Sequence, residues 1–195
     1  MRRVMNRGRG CAVIPADFLN LGSRDAVDQA LSRLVNKEML IRVDRGIYAY
    51  PEISEIVGPV VPSSEKIARA MARRGAQRLL PAGALAANLL GLSEQVPAQV
   101  EYLTDGSACE RKTGNLTIRF KPTTPKNMAT ADRVTGPVIQ ALRFLGKNHV
   151  DAGVMQKLRN RLSTKERQQL VKDIPYAPGW MAPVFRELAN EKNLK

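Results

Sequence analysis

Gly22-Ser23 is followed by Asp25 and, three residues later, by Asp28. A Gly-Ser pair ahead of paired aspartates is how nucleotidyl-transferring enzymes begin a metal site, because hard cations such as Mg²⁺ need convergent oxygen ligands. Those enzymes add an Asp-x-Asp on a later strand, and none follows here. Asp25 and Asp28 instead read as one helix turn, so no metal site is expected. Other reactive residue types are sparse. His149 is the one histidine and has no Ser or Cys close by in sequence with which to form a triad. Cys11 and Cys109 lie far apart, in no ligand motif, and read as free thiols in a reducing compartment. Glu110, Asp132, Asp151 and Glu166 are scattered across residues 110–172. The reading is a non-enzymatic chain without cofactor or metal.

The same stretch has a second chemical use. Ser23 is a good N-cap for a helix from Arg24 to about Lys37. On a 3.6-residue wheel Ala26, Val27, Ala30, Leu31 and Leu34 fall on one side. Arg24, Asp25, Asp28, Gln29, Ser32, Arg33 and Asn36 fall across the other. A recognition helix offers its N-terminal residues to base edges. Arg can bond guanine with both arms, Gln can do so with adenine, and Asp can accept from cytosine or hold Arg24 in place. Ser23, Ser32 and Arg33 are better suited to phosphates.

The elements around that helix must position it. Met1–Asn6 predicts a short helix, "RGRG" a flexible basic link, and Pro15 the start of a short helix holding Asp17 and Phe18. After the Ser23 helix, Met39–Val43 predicts a strand, Asp44-Arg45-Gly46 a tight turn, and Ile47–Tyr50 the returning strand. Three helices followed by a β-hairpin is the order of a winged helix-turn-helix. Arg42, Arg45 and Gly46 then belong to the wing, whose arginines suit a phosphate backbone or a minor groove.

Charge agrees with a polyanionic partner. Lys and Arg number 31 against 18 Asp and Glu, for a net +13 over 195 residues. Such an excess concentrates nucleic acid around a protein. Apolar residues reach 44%, enough for a core, but aromatics only 5%, so Leu, Val, Ile, Ala and Met must fill it. "MRRVMNRGRGCAVIP" has no apolar segment of the secretory type, and no run approaches a membrane span. A cytoplasmic location is expected, and the Asn115-Leu116-Thr117 sequon then carries no meaning.

"PEISEIVGPVVP" reads as a proline-marked connection, which divides the chain into residues 1–58 and a larger mixed domain, 59–195. The expected fold class is α+β. Ser63-Ser64-Glu65 caps a helix to about Arg74, and "PAGALAANLLGL" predicts a small-residue helix packed closely. "QVEYLTD" and "NLTIRFKP" predict strands, with "GSACERKTG" as the hairpin loop between them. Helices dominate from Thr130. One ends at Gly146, one covers "DAGVMQKLRNRL", one opens with the capping box Ser163/Glu166, and one covers "APGWMAPVFRELANEK". Strand alternation sends Arg119 and Lys121 to the face opposite Leu116, Ile118 and Phe120. With Lys112, Arg159 and Arg161 they form a candidate basic surface, for DNA, for an acidic partner, or simply for solvent.

Taken together, "DFLNLGSRDAVDQALSRLVNKEMLIRVDRGIYAYP" resembles the N-terminal domain of AbiEi-family antitoxins of bacterial type IV toxin–antitoxin systems. The matching residues are Asp17-Phe18, Gly22-Ser23-Arg24, Ala26-Val27, Ala30-Leu31, Arg33-Leu34 and Arg45-Gly46-Ile47-Tyr48. The likeness continues in "AANLLGLSEQVPAQVEYLTDG", in Gln140-Ala141-Leu142 and in Trp180-Met181. The resemblance implies a winged-helix domain joined to a C-terminal antitoxin domain. It implies repression of the chain's own operon through an inverted repeat in promoter DNA; the symmetry of such a repeat leads us to expect a monomer in solution and two copies on the DNA. It also implies a nucleotidyltransferase-like toxin, engaged directly or indirectly. Where such proteins often carry Gly after the Ser23 helix, this chain has Glu38, so a tighter or more helical turn is expected there. The alternative is a plain winged-helix regulator whose C-terminal domain senses a ligand or a protein.

Overall fold

A computed structural model describes residues 1–56, 58–95, 99–113 and 116–190. The class is mixed α and β, as the sequence predicts. The chain forms two compact units, Met1–Gln77 and Arg78 onward.

In the first unit the order is α1 (Arg2–Met5), β1 (Cys11–Val13), a 3-10 turn (Pro15–Phe18), α2 (Arg24–Asn36), β2 (Ile41–Asp44), β3 (Ile47–Tyr50), β4 (Glu52–Ser54), β5 (Gly58–Val60) and α3 (Ser64–Arg74). Strand β1 is unforeseen. It carries no polar alternation and lies between the "RGRG" link and Pro15. It pairs antiparallel with β3, Ala12 opposite Ala49, and β3 pairs with β2, which gives the sheet order β1-β3-β2. Val4, Val13, Phe18, Val27, Leu31, Leu40 and Tyr48 share the core. Ala26 and Ala30, expected inside, are exposed and line an apolar groove of ≈ 170 Å³ with Leu21 and Leu34.

Ser23 caps α2 as expected, its hydroxyl accepting the Ala26 N–H at 3.3 Å. The far end corrects one expectation. α2 stops at Asn36, and Glu38 takes φ +57°, the left-handed conformation that glycine adopts without steric cost. The Met39 and Leu40 N–H groups both donate to the Leu34 carbonyl, closing the helix end. The turn therefore keeps the shape a glycine would give it.

The boundary near residue 58 is corrected as well. The proline-marked stretch folds into the β4–β5 pair, with Ile53 opposite Pro59, and does not link two domains. Helix α3 buries Ile67, Ala68, Ala70, Met71 and Ala72 and packs on β1 and β3. Residues 59–77 therefore belong to the first unit, which ends at Gln77.

The second unit contains β6 (Leu79–Pro81), α4 (Gly83–Leu89), β7 (Gln99–Thr104), β8 (Cys109–Thr113), β9 (Leu116–Pro122), α5 (Pro125–Met128), α6 (Thr135–Leu145), α7 (Ala152–Arg161), α8 (Thr164–Lys172) and α9 (Met181–Ala189). The expected hairpin loop between β7 and β9 is itself strand β8, and the sheet order is β6-β7-β9-β8. β7 and β9 run parallel, not as a hairpin. Residues 105–108 thus carry the chain from β7 across the end of β9 to β8. Asp105 fixes this crossing by accepting both the backbone N–H and the Nε–H of Arg78, each at 2.8 Å. That pairing holds the Asp105 carboxyl below its ordinary range.

Alanines 86 and 87 of α4 let α6 approach closely, and Val138, Ile139, Leu142, Met155, Leu158, Leu170, Met181 and Phe185 complete this core. Gly136 is required, because a Cβ there would strike the Thr130 carbonyl oxygen and the Leu80 side chain. Asp173, 1% exposed, accepts from Arg133 at 2.5 Å and from Thr135 at 2.7 Å, which satisfies a buried carboxylate. Gly146, at φ +83°, ends α6. The sequon asparagine, Asn115, and residues 191–192 of the last expected helix lie outside the described residues. Among the described residues no helix is long and apolar enough to cross a membrane.

Candidate nucleic-acid interface

Helix α2 is anchored by Val27 and Leu31, which fixes what faces outward. Ser23, Arg24, Asp25, Gln29, Ser32 and Arg33 are exposed, and Asp28 is half-buried. The ion pair between Arg24 Nε and Asp28 Oδ2 measures 2.8 Å, with side chains 59% and 43% exposed. Asp28 therefore holds the guanidinium by its inner nitrogen and leaves the two terminal nitrogens as a fork. A fork of that kind can bond guanine O6 and N7 together. Asp25 lies in the first turn, where the helix dipole favours an acid. The Ser23 hydroxyl is engaged as the cap acceptor, and its own hydrogen remains to donate.

The hairpin supplies a second cluster. Arg42 is exposed on β2, opposite Tyr48, and a bulge follows it before Asp44. Arg45 stands exposed at the turn, and Gly46 takes φ +67°. One residue unforeseen from sequence supports this turn. Arg74, at the end of α3, donates to the Arg45 carbonyl oxygen and pairs with Asp44 at 3.3 Å. It is thirty residues away in sequence, so no local pattern reveals it.

The expected basic surface of the second unit is partly neutralised. Arg119 and Lys121 do share a face of β9, opposite buried Ile118 and Phe120. Neighbouring strands put carboxylates beside them. Glu110 of β8 pairs with Arg119 at 2.6 Å, and Glu101 of β7 pairs with Lys121 at 2.5 Å. Lys112 stays exposed on β8, and Arg161 on α7. Arg159 is not a surface cation. Its side chain is 14% exposed and donates to the Glu187 carbonyl at 3.4 Å and carboxylate at 3.2 Å, tying α7 to α9. Among the described residues no group of three or more His, Cys, Asp or Glu side chains could hold a metal.

A family model described as a family of unknown function, DUF6088, matches residues 1–170. No curated protein matches the sequence. Among solved structures, the RV2827C protein from Mycobacterium tuberculosis is similar at 14% identity and a TM-score of 0.40, over 95% of this chain and 74% of that one. A likeness at that level carries no functional argument.

Proposed function

We propose that this chain, which belongs to the DUF6088 family of unknown function, is a DNA-binding winged-helix protein that reads an inverted repeat in promoter DNA and represses its own operon. The observation that carries the reading is the first unit's order of elements, with sheet order β1-β3-β2 and the exposed polar side of α2. This order supports the reading, because a winged helix-turn-helix displays its recognition helix beside a wing. In this reading Arg24, oriented by Asp28, and Gln29 meet base edges. Ser32 and Arg33 meet phosphates, and Arg42 and Arg45 meet the backbone or minor groove beside the helix.

The antitoxin role belongs to the same proposal and rests on the family resemblance given above. In it the second unit counteracts a nucleotidyltransferase-like toxin encoded next to this gene. A second reading, a plain regulator whose second unit senses a ligand or protein, draws support from the ion-paired state of Arg119 and Lys121. Footprinting on the DNA upstream of the gene, at physiological salt, tests the common core of both. A protected inverted repeat that random DNA competes poorly is expected. Diffuse protection that vanishes with modest salt would reduce the +13 charge to general polyanion affinity. An adjacent toxin gene whose product this chain neutralises separates the first reading from the second.

A further inference from the structure

The first unit has a second cluster of cations, on elements that the proposed DNA contacts do not use. Lys66, Arg69 and Arg73 stand at i, i+3 and i+7, on one face of α3. That face and the segment carrying Arg7 and Arg9 line a surface cavity of ≈ 230 Å³, with Cys11 and Ala12 of β1 also in its wall. Five cationic side chains thus border one small space.

These side chains are held in place. Arg7 pairs with Asp17 at 2.9 Å, and Arg73 reaches the same carboxylate at 3.5 Å while donating to the Ala12 carbonyl at 2.9 Å. Arg9 donates to the Pro51 carbonyl at 3.2 Å and stacks 5.0 Å above the Tyr50 ring. Lys66 lies 4.0 Å from Glu52, and Arg69 lies 2.6 Å from Glu65. Gly10 makes the close approach possible, since a Cβ at its φ of +72° would run into the Glu52 carboxylate and the Lys66 ammonium. Three carboxylates therefore face five cations, and the cavity keeps a positive excess. Each guanidinium has five N–H donors, of which these bonds use only one or two.

We infer that this cavity binds a phosphate group, either of a nucleic-acid strand or of a free phosphate compound. Several planar guanidinium forks around one small space suit tetrahedral phosphate oxygens, and the restraints on Arg7, Arg9 and Arg73 lower the ordering cost of binding. The space takes a phosphate or diphosphate rather than a folded partner. The inference does not depend on the reading of α2.

Cys11 is a built-in reporter. Burial raises its thiol pKa, against the opposing pull of Arg7 and Lys66, so labelling at one fixed, mildly alkaline pH follows both access and the small thiolate fraction, and an anion bound beside the thiol lowers both. In full-length protein carrying Cys109→Ser, a thiol reagent should modify Cys11 more slowly as inorganic pyrophosphate is added at constant ionic strength. Labelling should fall about tenfold at ten times the dissociation constant. Arg69, 70% exposed with only a surface ion pair, can be changed without threatening the fold. Arg69→Gln should raise the half-protecting concentration about tenfold, the loss of one charge-assisted bond. A short random-sequence duplex in place of pyrophosphate separates the sources. Protection by the duplex alone assigns the site to nucleic-acid backbone, and protection by pyrophosphate alone assigns it to a small phosphate compound. If neither slows labelling beyond chloride at matched ionic strength, or if Arg69→Gln is protected like its parent, the inference is wrong. Pyrophosphate should also raise the thermal midpoint of unmodified protein above a chloride control, which checks the wild type without any variant.

Discussion

At the scale of single residues, the proposed interface turns on how one guanidinium is held. Asp28 engages the inner nitrogen of Arg24 and aims the rest outward. Arg24→Ala should weaken binding to the specific site by ~1–3 kcal/mol and relax preference at one base pair, measured by titration against operator and mutated operator. An unchanged affinity would remove Arg24 from base reading. Arg45→Ala should weaken all duplexes about equally and lower the slope of log K against log salt by about one phosphate's worth. A slope identical to wild type would take the turn off the phosphates. Residues of this kind are legible in sequence when their partner is one helical turn away, as Asp28 is. Arg159 shows the limit. It follows buried Leu158 and lies four residues after buried Met155, at the margin of the buried stripe, so its charge misleads where its helical position does not.

At the scale of elements, ends were more legible than pairings. The caps at Ser23, Ser63 and Ser163 all accept an N–H three residues on, a strictly local bond written in the sequence. The turn after α2 was legible in place but not in shape. Glu38 occupies a left-handed conformation at a cost of roughly 1 kcal/mol, so Glu38→Gly should leave the fold intact and raise stability by up to about that amount. Urea denaturation measures it, and a destabilised variant would show that the Glu38 side chain contributes something unseen here. The box opening α8 makes a pH prediction. Ser163 donates to the Glu166 carboxylate and lowers its pKa from 4.5. A carboxylate lowered on folding stabilises the fold above its ordinary pKa, and that contribution is lost as pH falls through the folded value. Ser163→Ala should therefore cost about 1 kcal/mol at neutral pH, and its difference from wild type should shrink on acidification. A difference constant with pH would break the link to Glu166. Strand β8 was not legible because Cys109-Glu110-Arg111-Lys112-Thr113 has no apolar alternation, and the parallel β7–β9 pair was not because it skips the strand that follows β7 in sequence.

At the scale of the whole molecule, the division at Gln77 is the feature that sequence reading misplaced. A stretch rich in proline looks like a linker, yet here it folds as a small strand pair and leads into the helix that covers β1 and β3. A fragment of residues 1–58 lacks the buried side chains Ile67, Ala68, Ala70 and Met71. It should show no cooperative urea transition, whereas residues 1–77 should unfold in one step. Equal cooperativity in the two fragments would return the boundary to residue 58. The proposed DNA contacts on α2 and β2–β3, the Arg74 support and the cation cavity all lie within residues 1–77. The charge excess alone pointed toward nucleic acid, but it did not reveal which cations stand free and which are paired.

The crossing at residues 105–108 has a consequence for order of assembly. β9 lies between β7 and β8, although it follows both in the chain. β8 and β9 are joined by a very short connection, so closing that hairpin costs little chain entropy. That hairpin is a local unit seated as one piece along β7, whereas the Arg78–Asp105 clasp extends the β6–β7 pair, where Leu79 stands opposite Thr104, and needs no residue of β9. In a nascent chain, β7 therefore waits with one edge unpaired until synthesis has passed Pro122, and that interval is when this sheet is most exposed to misassociation.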